Sequence, residues 1–269
     1  MISAFPPFLF RSFCCSLVFG VITPSSRALL VLNAPASHAV DPANGVPWGN
    51  VGSLNGATGV YLGAFATGYW VITTSHVGLG DITLAGQTYA AVPGSAQQIS
   101  NAGRLGPADL LLFRLQSAPP LPNLSLPAGP PAVGTPLLMI GYGGGIKNWG
   151  TNTVLSTGFY PSPDPANAYA VLTDYSPVTG EAQGTVGDSG GAMFFQNGKE
   201  WVLGGIMESV TTAGLPLYTL SIDLGAYRSQ IFTMTGGAMP KTAGTTVEAD
   251  HIDAGRRISS TVRTVEKRP

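Results

Sequence analysis

Gly187-Asp188-Ser189-Gly190-Gly191 runs without a break into Ala192-Met193-Phe194-Phe195, an apolar run of strand length. A serine set among glycines suits a tight turn, because residues without a Cβ tolerate the backbone conformations that bring neighbouring N–H groups toward one point. Such convergence is what stabilising an oxyanion requires. Downstream, Gln196-Asn197-Gly198-Lys199-Glu200 contains Asn-Gly, a strong hairpin signal. Trp201-Val202-Leu203-Gly204-Gly205-Ile206-Met207 and Leu217-Tyr218-Thr219-Leu220-Ser221 are further strand-length runs, and Leu224 to Met234 has the spacing of one short closing helix. Upstream lie Leu137-Leu138-Met139-Ile140-Gly141 and Tyr169-Ala170-Val171-Leu172-Thr173. Together these predict one β domain.

A second, earlier series has the same character: Gly59 to Leu62, Tyr69 to Thr73, Asp81 to Leu84, Thr88 to Val92 and Leu110 to Leu115. Between the two series, Ala118 to Pro136 carries seven prolines and reads as an interdomain linker. Composition agrees. The 269 residues include 36 glycines and 22 prolines, against 13 basic and 14 acidic residues, which argues against helical bundles and coiled coils. The chain therefore divides into residues 1–39, a first β domain over 40–130, a second over 131–234, and a charged, flexible tail over 235–269.

Two further segments carry chemistry. His76 ends the run Trp70-Val71-Ile72-Thr73-Thr74-Ser75-His76, where a strand breaks into the loop Val77-Gly78-Leu79-Gly80. Asp109 stands directly before the apolar run Leu110-Leu111-Leu112-Phe113. Alone, each has an ordinary explanation, a buried histidine or a turn aspartate. Taken with the glycine-flanked serine, in the order His, Asp, Ser, they resemble the chymotrypsin-like (trypsin-fold) serine peptidases. Gly141-Tyr142-Gly143 and Leu203-Gly204-Gly205-Ile206 add subsidiary matches, and the resemblance spans roughly Gly59 to Met234.

The resemblance implies an all-β fold of two Greek-key six-stranded β-barrels with the active site between them and a short C-terminal helix. It implies a bacterial-type member without disulfides, acting as a serine endopeptidase on peptide or protein substrates. Ser189 would be the nucleophile, His76 the general base and acid, and Asp109 the residue that orients the imidazole. The N–H groups of Gly187 and Ser189 would form the oxyanion hole, and Asp188 would be a structural acid beside the site. Gln183 falls where the pocket floor is expected, and Glu208 on the pocket wall where a serine is usual. Whether Asp188 pairs with a processed N-terminus or is satisfied locally stays open. So do two other functional classes: a trypsin-fold binding protein without turnover, and an acyl hydrolase acting on esters. Ser75, where alanine is common, and the short separations between the three segments depart from the pattern.

Other chemistries find little support. Val40 to Pro240 holds five basic residues against ten acidic ones, so the phosphate-neutralising patch of a nucleic-acid binder is missing. Gly141-Tyr142-Gly143-Gly144-Gly145-Ile146-Lys147 fails both common nucleotide-loop patterns. No metal site or cofactor is implied. Residues 1–39 read as a secretory signal, with Arg11, an apolar stretch from Phe13 to Thr23, and small residues at Ser37 and Ala39 that suit cleavage after Ala39. Both cysteines, Cys14 and Cys15, fall inside it. The expected location is secreted or periplasmic, with no stable membrane anchor after cleavage and an oligomeric state that the sequence leaves unknown.

Overall fold

The computed structural model describes residues 28–31, 36–101, 104, 106–160, 168–176, 180–210 and 217–237. Most of the expected leader and the charged tail beyond residue 237 lie outside these. Among the described residues no helix is long and apolar enough to cross a membrane.

The chain opens with β1 (Leu30–Val31) and then builds a first sheet from β2 (Val51–Leu54), β3 (Ala57–Phe65), β4 (Gly68–Thr73), β5 (Ile82–Leu84), β6 (Gln87–Tyr89), β7 (Gln97–Ser100) and β8 (Pro107–Leu115). A second sheet follows from β9 (Pro136–Gly141), β10 (Asn148–Thr153), β11 (Ser156–Tyr160), β12 (Ala168–Tyr175), β14 (Ala192–Asn197), β15 (Glu200–Val210) and β16 (Leu217–Asp223), with the short β13 (Ala182–Gln183) pairing β1 outside it. The helix α1 (Leu224–Thr235) ends the described chain, capped by the Asp223 carboxylate accepting from Gly225 N–H and terminated by Gly236 in the left-handed conformation.

Both sheets are antiparallel, in the orders β6-β5-β2-β3-β4-β8-β7 and β10-β9-β14-β15-β16-β12-β11. Six strands per barrel were expected, and each sheet has seven. In each sheet the two edge strands are consecutive pieces of one bent segment. In the first, the chain leaves β6, bridges Leu115 of β8 through Ala91, and pairs with β8 again as β7. In the second, β10 pairs with β9, passes through the buried Val154, and pairs with β12 as β11. The bend lets one segment serve both edges, so each sheet curls back on itself and leaves little exposed edge.

Packing follows the pleat. On β4, Val71 points with Tyr61, Ile82, Phe113 and Leu115 into the first barrel. Its neighbours Trp70 and Ile72 join Leu62, Leu110 and Leu112 in a second cluster that also contains Ile140, Phe194, Leu203 and Ile206 of the second sheet. Alternate residues of one strand thus fill the barrel and glue the barrels together, which is why β4 is apolar on both faces. The proline-rich connection is tied to both sides: Leu124 N–H donates to Leu62 O at 2.8 Å and Leu203 N–H to Ser125 O at 2.9 Å.

Candidate active site

His76 sits in the turn that stops β4. Buried Thr74 sets that turn by accepting at its carbonyl from Val77 N–H and Gly78 N–H, both at 3.2 Å. The neighbouring strand β8 brings Asp109 alongside, with only 2% of its surface exposed. Asp109 Oδ2 accepts from His76 Nδ1 at 2.5 Å, and Oδ1 accepts from His76 N–H at 3.0 Å and from the Ser75 hydroxyl. A carboxylate can only accept, so Nδ1 carries the ring proton and Nε2 is left as the basic nitrogen. Gln98 Nε2 donates to Ser75 Oγ at 3.0 Å and extends the chain outward. The His76 imidazole titrates above its ordinary 6.5, chiefly through its hydrogen bond to Asp109, against an opposing effect of burial and with help from the charges of Asp109 and Glu208.

The nucleophile loop joins β13 to β14 and is built from close approaches that only glycine permits. Gly187 has φ +96° and lies against Gly143; a side chain on Gly190 (φ +81°) would be driven into Thr58 O and the Thr73 hydroxyl. The turn closes through Asp188 N–H to Thr185 O at 3.0 Å and Gly191 N–H to Asp188 O at 2.8 Å. Neither Gly187 N–H nor Ser189 N–H donates to an acceptor among the described residues, so both are free for an incoming oxygen. Ser189 Oγ donates to Glu208 O at 3.4 Å, a long bond that leaves the hydroxyl ready to turn.

Asp188 is almost fully buried. Oδ2 accepts from Leu29 N–H and Thr185 N–H, both at 2.8 Å, and from Thr185 Oγ1 at 3.0 Å, while Oδ1 accepts from Gly143 N–H at 3.0 Å. Burial raises its pKa, and these same bonds work against the rise. Among the described residues its donors are amides and one hydroxyl. One of them, Leu29, comes from the segment read as leader. Ala28 and Leu29 are buried, β1 pairs with β13, and His38 stacks on Trp149 at 4.1 Å. A chain starting at Val40 would lack all of these contacts.

A pocket of about 230 Å³ opens beside Ser189, lined by Gly184 to Ser189 and by Met207 to Val210. Gln183 is not in its lining. It is buried in β13 and donates through Nε2 to Tyr218 O at 3.4 Å. Glu208 does line the pocket, at a bulge where β15 slips register against β16 between Met207 and Ser209. The bulge turns a residue out of the strand's alternation. Glu208 is 5% exposed, and both carboxyl oxygens are enclosed with no hydrogen-bond partner among the described residues. Burial and the nearby Asp109 push its pKa up to about 7, with His76 pulling the other way. Glu208 therefore couples the two halves of the site: its carbonyl takes the Ser189 hydroxyl, and its carboxyl shares the field of the His76–Asp109 pair.

This architecture, two curled antiparallel sheets with the serine loop on one and the histidine–aspartate pair on the other, is the two-barrel trypsin-like fold. The solved structure of Rv3671c from Mycobacterium tuberculosis H37Rv, an inactive mutant form, superposes with a TM-score of 0.56 at 17% identity, over 79% of this chain and 98% of that one. The active form of the Rv3671c protease gives a TM-score of 0.52 at 16% identity, covering 90% and 98%. No protein-family profile matches the sequence, and no curated protein matches it.

The structure thus pairs the sequence-predicted His76 with Asp109 and gathers Ser189, Gly187, Asp188 and Glu208 around one pocket, with the Glu208 charge felt by both His76 and Asp109; among the described residues no hydrogen bond joins His76 to Ser189. Leu29, Thr58, Ser75 and Gly143 were not singled out as holding the site. Ser75, beside the histidine, and Gly143, within the Gly141-Tyr142-Gly143 match, carried a local signal.

Proposed function

We propose that the protein is an exported serine endopeptidase. Ser189 Oγ attacks the scissile carbonyl carbon while its proton passes to His76 Nε2, and the resulting oxyanion takes hydrogen bonds from Gly187 N–H and Ser189 N–H. Asp109 keeps Nδ1 protonated and stabilises the imidazolium. The imidazolium then gives its proton to the departing amine as the carbon–nitrogen bond breaks, leaving an acyl-enzyme on Ser189. Water, deprotonated by the same Nε2, attacks the acyl carbon; the bond from that carbon to Oγ breaks, Oγ takes the proton back from the imidazolium, and the carboxylic product leaves.

The observation that carries this reading is the pairing of an Nδ1-protonated histidine on a buried aspartate, 2.5 Å apart, with a serine loop whose two amides have no acceptor among the described residues. The pocket walls combine the apolar Val186, Met207 and Val210 with the buried Glu208. A fluorophosphonate probe is expected to label Ser189 stoichiometrically, and Ser189→Ala to lose both labelling and peptide hydrolysis with unchanged circular dichroism. An unlabelled wild-type protein would overturn the reading in favour of a binding protein, and turnover of esters but not peptides would make it an esterase. Export rests on the leader-like residues 1–39. N-terminal sequencing of exported protein shows whether cleavage falls after Ala39 or ahead of Ala28, where Leu29 stays to hold Asp188.

A further inference from the structure

We propose that Thr58, on the first barrel, is a positioning residue for the oxyanion hole on the second, acting through its hydroxyl. Thr58 lies one residue into β3, is fully buried, and faces the nucleophile loop. Its Oγ1 donates to Gly187 O at 3.3 Å and accepts from Tyr142 N–H at 2.9 Å. Its N–H donates to Ser189 O at 3.0 Å, and its own carbonyl accepts from Thr73 Oγ1 at 2.8 Å. One residue therefore bonds to the carbonyls of both amino acids whose N–H groups would bind the oxyanion, closely to Ser189 O through its N–H and over a longer 3.3 Å to Gly187 O through its hydroxyl.

The direction of the hydroxyl bond follows from its neighbours. An amide N–H can only donate, so Tyr142 occupies a lone pair of Oγ1 and leaves the hydroxyl proton for Gly187 O. The three groups form one polarised chain, Tyr142 N–H to Thr58 O–H to Gly187 C=O. Gly187 needs this hold more than an ordinary residue does. At φ +96° it has no side chain of its own to lock the peptide, and a glycine backbone is the most free to rotate. The Gly187–Asp188 peptide lies between the two oxyanion donors, so letting it swing would blur the geometry on which transition-state stabilisation depends. Thr73 closes the arrangement from behind: it ends β4, the strand whose following turn carries His76, so the same few residues link the base to the hole.

This assignment rests on the peptidase reading, and the test keeps the two apart. Thr58→Val preserves the shape of the side chain and the backbone N–H but removes the hydroxyl; Thr58→Ser keeps the hydroxyl. With enzyme concentration counted by fluorophosphonate labelling, Thr58→Val is expected to lower kcat about tenfold with KM within about twofold of wild type, and to weaken a peptidyl boronate inhibitor by a similar factor. Thr58→Ser is expected to stay near wild-type kcat. Amide hydrogen exchange across Gly187–Gly190 should quicken in Thr58→Val and not in Thr58→Ser, whether or not the protein turns over peptides. Where Thr58→Val does not fold, Thr58→Ala takes its place. Wild-type kcat and unchanged exchange in the variant lacking the hydroxyl would overturn the assignment, as would a Thr58→Ser protein as slow as Thr58→Val. A wild-type protein without hydrolysis or labelling would overturn the peptidase reading alone, and the exchange experiment would still decide the role of Thr58.

Discussion

Two buried acids flank Ser189 on the second barrel, and they are held in opposite ways. Asp188, 1% exposed, accepts from Leu29, Thr185 and Gly143, drawing three separate stretches of chain onto one carboxylate. Glu208, 5% exposed, has both oxygens enclosed and no partner among the described residues. Burial raises the pKa of each. In Asp188 the hydrogen bonds work against that cost, so the carboxylate serves as a scaffold. In Glu208 no hydrogen bond offsets it and only the His76 charge pulls the other way, so the group is poised to gain or lose its proton near neutrality. Burial alone does not assign a role to an acid; the supply of donors does.

The largest test of this contrast removes the scaffold. Asp188→Ala leaves Leu29, Thr185 and Gly143 N–H groups without their acceptor, each costing roughly 1–3 kcal/mol when buried. A loss on the order of 4 kcal/mol in urea unfolding is expected, with hydrolysis falling by at least about a hundredfold as the oxyanion loop relaxes. Stability within about 1 kcal/mol of wild type would show that the four bonds are decoration.

The matching substitution at Glu208 is expected to do the reverse. Its folded-state pKa of about 7 lies above the ordinary 4.5, so the folded protein binds the proton more tightly. Stability from this group is full below the unfolded value and declines as pH rises from about 4.5 to about 7, where the folded group ionises as well. Glu208→Gln should equal wild type near pH 4 and exceed it above pH 7 by up to about 3 kcal/mol. Because the Glu208 charge helps to raise the His76 pKa, the same substitution should move the acid limb of kcat/KM, which in wild type lies above 6.5, to lower pH. An acid limb unchanged by Glu208→Gln would break the link between the pocket wall and the catalytic pair.

What was legible in the sequence follows the same division. His76, Asp109 and Ser189 stand in short strings, a strand end, an acid at the head of an apolar strand and a glycine turn, each ordinary alone and legible as a set only through their order and joint resemblance. The apolar strands β3, β4, β8, β9, β14 and β15 were legible from their local pattern. β7 and β10 were not, since Gln97-Gln98-Ile99-Ser100 and Asn148-Trp149-Gly150-Thr151-Asn152-Thr153 lack sustained apolar alternation, and their pairing is supplied by neighbours far along the chain. The supports of the site were hidden for the same cause. Leu29 reaches Asp188 across 159 residues and Thr58 reaches Gly187 across 129, separations over which no spacing rule operates. The bulge that re-aims Glu208 leaves no mark in Ile206-Met207-Glu208-Ser209-Val210, and the spacing from Ser189 that set Gln183 at the pocket floor could not see that β13 turns it toward Tyr218.

Asp109 lies between the two extremes and gives the finest test. It has three donors, two from His76 and one from the Ser75 hydroxyl, all from a single turn. Ser75→Ala removes one and moves Asp109 a step toward the condition of Glu208. Gln98 loses its bond to the Ser75 hydroxyl as well but keeps its second, from Nε2 to Ala108 O at 3.1 Å, so its side chain stays held. A hydrogen bond to a charged acceptor contributes about 1.5–3 kcal/mol, but the two remaining donors and the partly open turn let water and small shifts recover part of it. The expected result is a stability loss of about 1 kcal/mol and a kcat roughly tenfold lower, with KM little changed, since the missing bond matters most when His76 carries the proton and Asp109 must stay fixed beneath it. Ser75→Thr, which retains the hydroxyl, should restore the rate. If Ser75→Ala matches wild type in kcat, then the two His76 bonds alone fix Asp109, and the number of donors ceases to explain how this protein holds its buried acids.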